Sequence, residues 1–302
     1  MSQSPPILQF NRRPAPLAYM LRALRPSRGL REGGGFPPLR AIWRGMRIDQ
    51  RELDAFLRLT GLKADQGLPM LYPHVVSFPL LMAMLTCPAF PLPIWSALQI
   101  RNHLLQHRPL SGSEALDVEI HVAGQRILDK GAEVDLHTAV NSQSGLLWES
   151  LNTFYFRGRF GATVPLSALA QAPSVGDAML ARWRTQSGVG RQFGRLTGDY
   201  NGIHLSDWYA RLFGFRRAFH HPQLVLGQCM AHLPSPDATC PQRLDAWLKG
   251  PVFYDWDVAL HASKEANGMA FALIPDGDAR PAMLGRWLAY APGSRLGNIA
   301  GS

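Results

Sequence analysis

Leu196-Thr-Gly-Asp-Tyr-Asn-Gly-Ile-His204 is the stretch on which the reading of this chain turns, and Gly214-Phe215 and His220-His221-Pro222 extend it. An Asp and a His at this spacing suit a turn entering a helix, where both side chains converge on one small ligand. Asn201 between them can hold the turn through side-chain hydrogen bonds. An imidazole and a carboxylate that share one water form an acid–base device: one group takes a proton from the water while the other delivers one to carbon. Burial raises the carboxylate's pKa, and its partner's charge lowers it. The plainer alternative is that Asp-x-Asn-Gly is a common turn with no chemistry.

Working outward, the string proves to sit in the second of two similar halves. Arg195-Leu-Thr-Gly198 repeats Arg58-Leu-Thr-Gly61, and Met230-Ala-His-Leu233 repeats Met82-Ala-Met-Leu85. Leu224 and Leu226 match Val76 and Phe78. Two matches in the same order, each followed by a strand-rich stretch, point to duplication. The spacing between the matched blocks is longer in the second copy, and that insertion carries the Asp and the His. In the first copy the matching positions hold Leu62 and Gly67, which cannot move a proton.

The periodicity gives the elements. Asp49 caps a helix with Glu52 in its first turn and a stripe of Leu53, Phe56 and Leu57. A second helix is predicted over about 73–86, and strands over 118–122, 132–140 and 146–156. The second half repeats this order. A short helix is expected over Asp207–Phe213, ended by Gly214, and a longer one over Gln223–Leu233. Alternation from Val252 to Ala262 predicts a strand, followed by shorter strands over Met269–Ile274 and Pro281–Tyr290. The expected organisation is an extended leader over 1–38, rich in Arg, Pro and Gly, with one short helix at Leu17–Leu24. An N-terminal domain follows over 39–160, then a linker over 161–177 containing Pro165 and Pro173, and a C-terminal domain over 178–302.

Composition narrows the function. The chain has 302 residues, 46% hydrophobic and 10% aromatic, as a globular protein with real cores requires. With 31 Lys and Arg against 22 Asp and Glu, its net charge of +9 suits anionic partners, including phosphate-bearing cofactors. The absence of basic runs, RNP-like motifs and finger spacings argues against nucleic acid. Cys87, Cys229 and Cys240 form neither a disulfide framework nor a CxxC. No signal peptide or spanning apolar run is seen, so a cytoplasmic protein with no membrane partner is expected. His220, His221 and His232 invite a metal reading, but no carboxylate or Cys stands at ligand spacing with them, and no metal or cofactor is expected. Gly-x-Ser-x-Gly, Walker and dinucleotide fingerprints are absent.

The string Leu-Thr-Gly-Asp-x-Asn-x-Ile-His, with Ala210, Gly214-Phe215, and His221 before an apolar helix, resembles the signature of the MaoC-like hydratases and dehydratases. Lys249-Gly-Pro-Val-Phe253 is similar to that family's strand after its central helix. The resemblance implies an α+β double hot-dog: two copies of a long central helix wrapped by an antiparallel sheet. It implies that Asp199 and His204 hold a catalytic water, added to or removed from the C2–C3 bond of an acyl thioester. It gives Asn201 and Gly198 the support of the turn, and makes the first copy non-catalytic, with room for a bulky acyl chain. Interconversion of (R)-3-hydroxyacyl and trans-2-enoyl thioesters of CoA or acyl carrier protein, in fatty-acid metabolism and of medium or long chain, is the expected activity. A monomeric pseudo-dimer or a homodimer is the expected assembly.

Two departures from the family pattern matter. Gly202 replaces the usual Pro and loosens the turn. Pro222 replaces a Gly whose N–H, by resemblance, binds the thioester oxygen; proline has no N–H to give, and Gln223 offers the nearest backbone donor at the same helix N-terminus. His221 is expected to support or line the pocket. Arg211, Arg216 and Arg217 are expected to flank it and meet pantetheine phosphates or an acidic carrier protein, and Met82 to line an acyl tunnel. Pro222 also favours a rival, a non-catalytic acyl-thioester binder. A hot-dog thioesterase is a further alternative, although its usual helix acid is missing from Gln223–Leu233.

Overall fold

Asp49 caps the first long helix as its sequence predicts, accepting hydrogen bonds from the N–H groups of Arg51 and Glu52, and Gly61 ends it in the left-handed conformation. The computed structural model describes residues 7–31, 33–65, 67–161, 166–236 and 240–290. Pro165 of the expected linker, residues 1–6 of the leader and residues 291–302 lie outside the described residues.

The first half runs β1 (Ile7–Phe10), α1 (Pro16–Ala23), β2 (Arg40–Met46), α2 (Gln50–Thr60), α3 (Tyr72–Leu85), β3 (Ala97–Gln106), β4 (Leu116–Leu128), β5 (Gly131–Ser142) and β6 (Gly145–Arg157). The second runs β7 (Met179–Arg184), α4 (Val189–Thr197), α5 (Asp207–Leu212), α6 (Pro222–His232), β8 (Gln242–Leu248), β9 (Asp257–Glu265), β10 (Gly268–Pro275) and β11 (Met283–Ala289). All strands join one 11-stranded sheet in the order β1-β2-β4-β5-β6-β3-β8-β11-β10-β9-β7. Apart from β1 at the edge, that order is a mirror: each strand of the first half has its counterpart at the same distance from the β3–β8 seam. β3 and β8 pair antiparallel from Arg101–Trp247 to Gln106–Gln242, so the two half-sheets are continuous.

The repeated sequence blocks are repeated structures. Thr60 Oγ1 donates to the Phe56 carbonyl and accepts from the Leu62 N–H. Thr197 Oγ1 does the same with Phe193 and Asp199. α3 and α6 are the central helices, apolar on every side, as helices enclosed by a sheet must be. The short helices cross between halves, α2 packing on α6 and α4 on α3. A Cβ on Gly227 of α6 would come within 2.6 Å of Thr60, so only glycine lets α2 approach this closely. One apolar core therefore runs through both halves. This is a double hot-dog.

The sequence expectations need correction in several places. The alternation from Val252 to Ala262 is not one strand: β9 begins at Asp257, and Phe253 makes only an isolated bridge to Phe219. The chain turns first through Asp255, whose φ is 53°. The leader is tied down more firmly than an extended segment, with β1 parallel to β2 and α1 closely matching the expected short helix. The strands β2, β3, β7 and β8 and the helix α4 were not anticipated. Among the described residues, no helix is long and apolar enough to cross a membrane.

Candidate active site

α4 delivers Asp199 to the site. Gly198 takes φ 74°, and a side chain there would collide with the Tyr19 hydroxyl, which donates to the Gly198 carbonyl at 2.7 Å. The turn beyond is built from side-chain caps. Asp199 Oδ1 accepts the Asn201 N–H at 3.0 Å, and Asn201 Oδ1 accepts the Ile203 N–H at 3.3 Å. One carboxylate oxygen is thus fixed by the backbone, leaving Oδ2 toward His204. Gly202 does more than loosen the turn, because a Cβ there would lie 2.6 Å from the Tyr209 ring.

His204 Nδ1 lies 2.9 Å from the Phe219 carbonyl. A carbonyl only accepts, so Nδ1 carries the proton and the neutral ring presents a lone pair at Nε2. That Nε2 is 3.9 Å from Asp199 Oδ2. The gap is too long for a direct hydrogen bond and suits two groups that grip one small ligand. Burial pulls the His204 pKa below its usual value, and the Asp199 carboxylate offsets this only in part. The Tyr254 hydroxyl holds the His204 carbonyl at 2.8 Å.

His221 stacks on His204 with ring centroids 4.0 Å apart, and its Nε2 donates to the Asp199 carbonyl at 3.1 Å. Asp199, His204 and His221 bring metal-ligand types within 4.8 Å of one another. The sequence expectation that no carboxylate stands with these histidines is therefore corrected. A shared metal needs lone pairs converging at about 2.0–2.1 Å. Each ring gives one nitrogen to a main-chain carbonyl, which leaves Nε2 of His204 and Nδ1 of His221 as the remaining ring nitrogens.

A cavity of about 340 Å³ opens over the pair. Asp199, Asn201, His204, His220 and Pro222 line it together with Phe78, Met82, Ile94 and Leu98 of the first half, which add apolar wall. Met82 is the one residue of α3 that is not fully buried, in keeping with its place on that wall. Gln223 is not among the lining residues; its side chain donates to Gln99 at 2.7 Å and accepts from Asn102 at 3.2 Å, tying α6 to β3. Arg211, Arg216 and Arg217 also lie off the cavity wall, with Arg216 5.0 Å and Arg217 5.5 Å from the centre of the Phe253 ring. Lys249–Val252 does line the cavity, but as the loop after β8 rather than as a strand.

Sequence reasoning weighed His220 only as a metal candidate and Lys249 only as part of a strand, and gave Tyr254 no place in the site. His220 had no spacing partner, Lys249 stands in the loop directly after β8, and Tyr254 reaches the site through the turn that interrupts the expected strand. A second cavity of about 390 Å³ lies beside Leu62 and Gly67, at the place in the first half that corresponds to the Asp199–His204 turn.

No protein-family model matches the chain. It is 28% identical over 229 residues to 3-hydroxyacyl-thioester dehydratase X of Mycobacterium tuberculosis, a match covering 75% of this chain and 80% of that protein. The crystal structure of that dehydratase, HtdX, superimposes with a TM-score of 0.71 at 23% identity, covering 83% of this chain and all of the other. A MaoC-like dehydratase from Phytophthora capsici gives a TM-score of 0.67 at 18% identity, covering 84% and 96%. Another Mycobacterium tuberculosis protein, with a double hotdog fold, gives 0.51 at 16% identity, covering 82% and 94%.

Proposed function

We propose, for a chain with the double hot-dog fold and a site string that resembles the MaoC-like signature, a hydro-lyase that interconverts 3-hydroxyacyl and trans-2-enoyl thioesters. The observation that carries the proposal is His204 Nε2 held 3.9 Å from Asp199 Oδ2 in the wall of a largely apolar cavity. A water between them donates to both and keeps a lone pair for C3. As it adds, His204 Nε2 takes a proton, and the Asp199–His204 pair returns one at C2, so the pair ends as it began. In dehydration the same steps run backward.

In this reading the half over residues 178–302 carries the chemistry, and the half over 39–160 adds Phe78, Met82, Ile94 and Leu98 to the apolar wall. The apolar wall of Phe78, Met82, Ile94 and Leu98 favours a medium or long acyl chain. Lys249, exposed at the cavity edge, suits the phosphates of CoA or of a carrier protein's pantetheine. Continuity of the sheet across β3 and β8 favours a monomeric pseudo-dimer.

Purified protein mixed with trans-2-enoyl-CoAs of several lengths should bleach the conjugated-thioester absorbance, fastest for chains that fill the cavity. A second reading, a non-catalytic acyl-thioester binder, is favoured by Pro222 at the first position of α6, where no N–H faces the cavity. It requires binding without bleaching for every chain.

A further inference from the structure

His220 is the buried polar group that the acid–base pair leaves unused. It is 1% exposed, lines the cavity, and lies with its ring 4.3 Å from that of Tyr254. Its backbone is fixed, the N–H donating to the Val252 carbonyl at 2.9 Å. Neither ring nitrogen has a hydrogen-bond partner. Burial, with the neighbouring His204 adding to it, brings its pKa down to about 3. The ring is therefore neutral, and a neutral imidazole always carries one N–H. Whichever nitrogen holds that proton, the protein gives it no acceptor. Orphaned buried donors are rare, and each asks for an explanation.

The proposed reaction supplies an acceptor. When water adds at C3, the C2–C3 π electrons move toward the carbonyl, and negative charge gathers on the thioester oxygen. That oxygen needs a donor already in place. The first turn of α6 presents Pro222, which has no N–H, and Gln223 does not line the cavity.

We propose that the ring N–H of His220 donates to the thioester carbonyl oxygen and holds its charge as the enolate forms, an inference resting on the hydro-lyase reading above. No proton is transferred to that oxygen; the carbonyl re-forms when C2 is protonated.

The test compares the wild type with His220→Phe, which keeps a ring without the N–H, and His220→Gln, which restores an uncharged N–H. Crotonyl-CoA measures turnover. A dimethylaminocinnamoyl-CoA probe, whose absorption moves to longer wavelength when its carbonyl is hydrogen-bonded, measures the contact itself. His220→Phe should lose about 10²–10³-fold in kcat with a smaller change in KM, keep or raise the melting temperature, and lose the probe's band shift. His220→Gln should recover part of both. If His220→Phe does not fold, His220→Leu carries the same comparison. Wild-type turnover in the variant, or an unchanged band shift, overturns the inference and leaves the hydro-lyase reading standing. If the wild type hydrates no enoyl thioester, that reading fails instead. The probe alone then decides: a shift lost in the variant upholds the contact, and equal spectra overturn it.

Discussion

His74 and His220 make the acid sensitivity of this fold calculable. His74 lies within α3, and burial alone brings its pKa down to about 3; His220 falls to about the same value. In an unfolded chain each titrates near 6.5. Below that pH the unfolded state takes up protons that the folded state refuses. Stability is therefore complete above about pH 6.5 and falls as pH falls, until the folded pKa is reached. Each histidine contributes a slope of about 1.4 kcal/mol per pH unit. Between about pH 6.5 and 4.5 the two together remove roughly 5 kcal/mol, set against total stabilities of about 5–15 kcal/mol for native proteins. His103, His204 and His221 are lowered as well and act in the same direction. Urea melts at several pH values should show the midpoint dropping steeply on the acid side. His74→Leu should flatten the slope by about 1.4 kcal/mol per pH unit. Because His74 does not line the cavity, the same variant should leave the pH profile of hydration where it was. A wild-type midpoint that is level from neutral pH down to about pH 5, or a His74→Leu slope equal to wild type, would refute the reasoning.

Other outcomes follow from the same geometry. Asp199→Asn or His204→Gln should each lower hydration by roughly 10²–10⁴-fold without unfolding the protein. The double variant should lose little more than either single one, because both groups act on one water; additive losses in the rate assay would show that they work separately. Met82→Trp should weaken long-chain enoyl-CoAs and spare crotonyl-CoA, whereas equal loss on both would mark overpacking of the core. Pro222→Gly should leave turnover unchanged or raise it, by adding a backbone donor beside the one assigned to His220. A folded but nearly inactive Pro222→Gly would mean that the proline shapes a different site.

The helices read best from sequence were those whose caps and stripes agree, such as α2 with Asp49, Glu52 and Gly61. α4 was hidden because Gly190 and Gly194 break its propensity. Those glycines are there for packing: side chains on them would meet the His204 and Asp199 carbonyls at 2.7 and 2.8 Å. β3 was hidden for the opposite reason. It is buried on both faces yet carries Arg101, Asn102 and His103, so no apolar alternation marks it. Partners distant in sequence engage those groups: Asp135 for Arg101, Gln223 for the Asn102 amide N–H and Asp245 for His103. The Asp199–His204 pair was legible because its geometry is local. His220 was not, since only the packed cavity reveals that its nitrogens lack partners.

That division between local and distant information also bears on why the first half persists. Leu62 and Gly67 stand where the second half has Asp199 and His204, yet the first half lends Phe78, Met82, Ile94 and Leu98 to the apolar lining of the cavity over that pair. Gln99 and Asn102 of β3 hold Gln223, and so fix the helix whose first turn borders the cavity. Thr60 of α2 seats against Gly227 in the middle of that helix. The half that carries Asp199 and His204 is thus positioned by contacts whose other side belongs to the first half. A duplicated chain in that position can lose one set of proton-moving residues at little cost, provided the fold around them is kept.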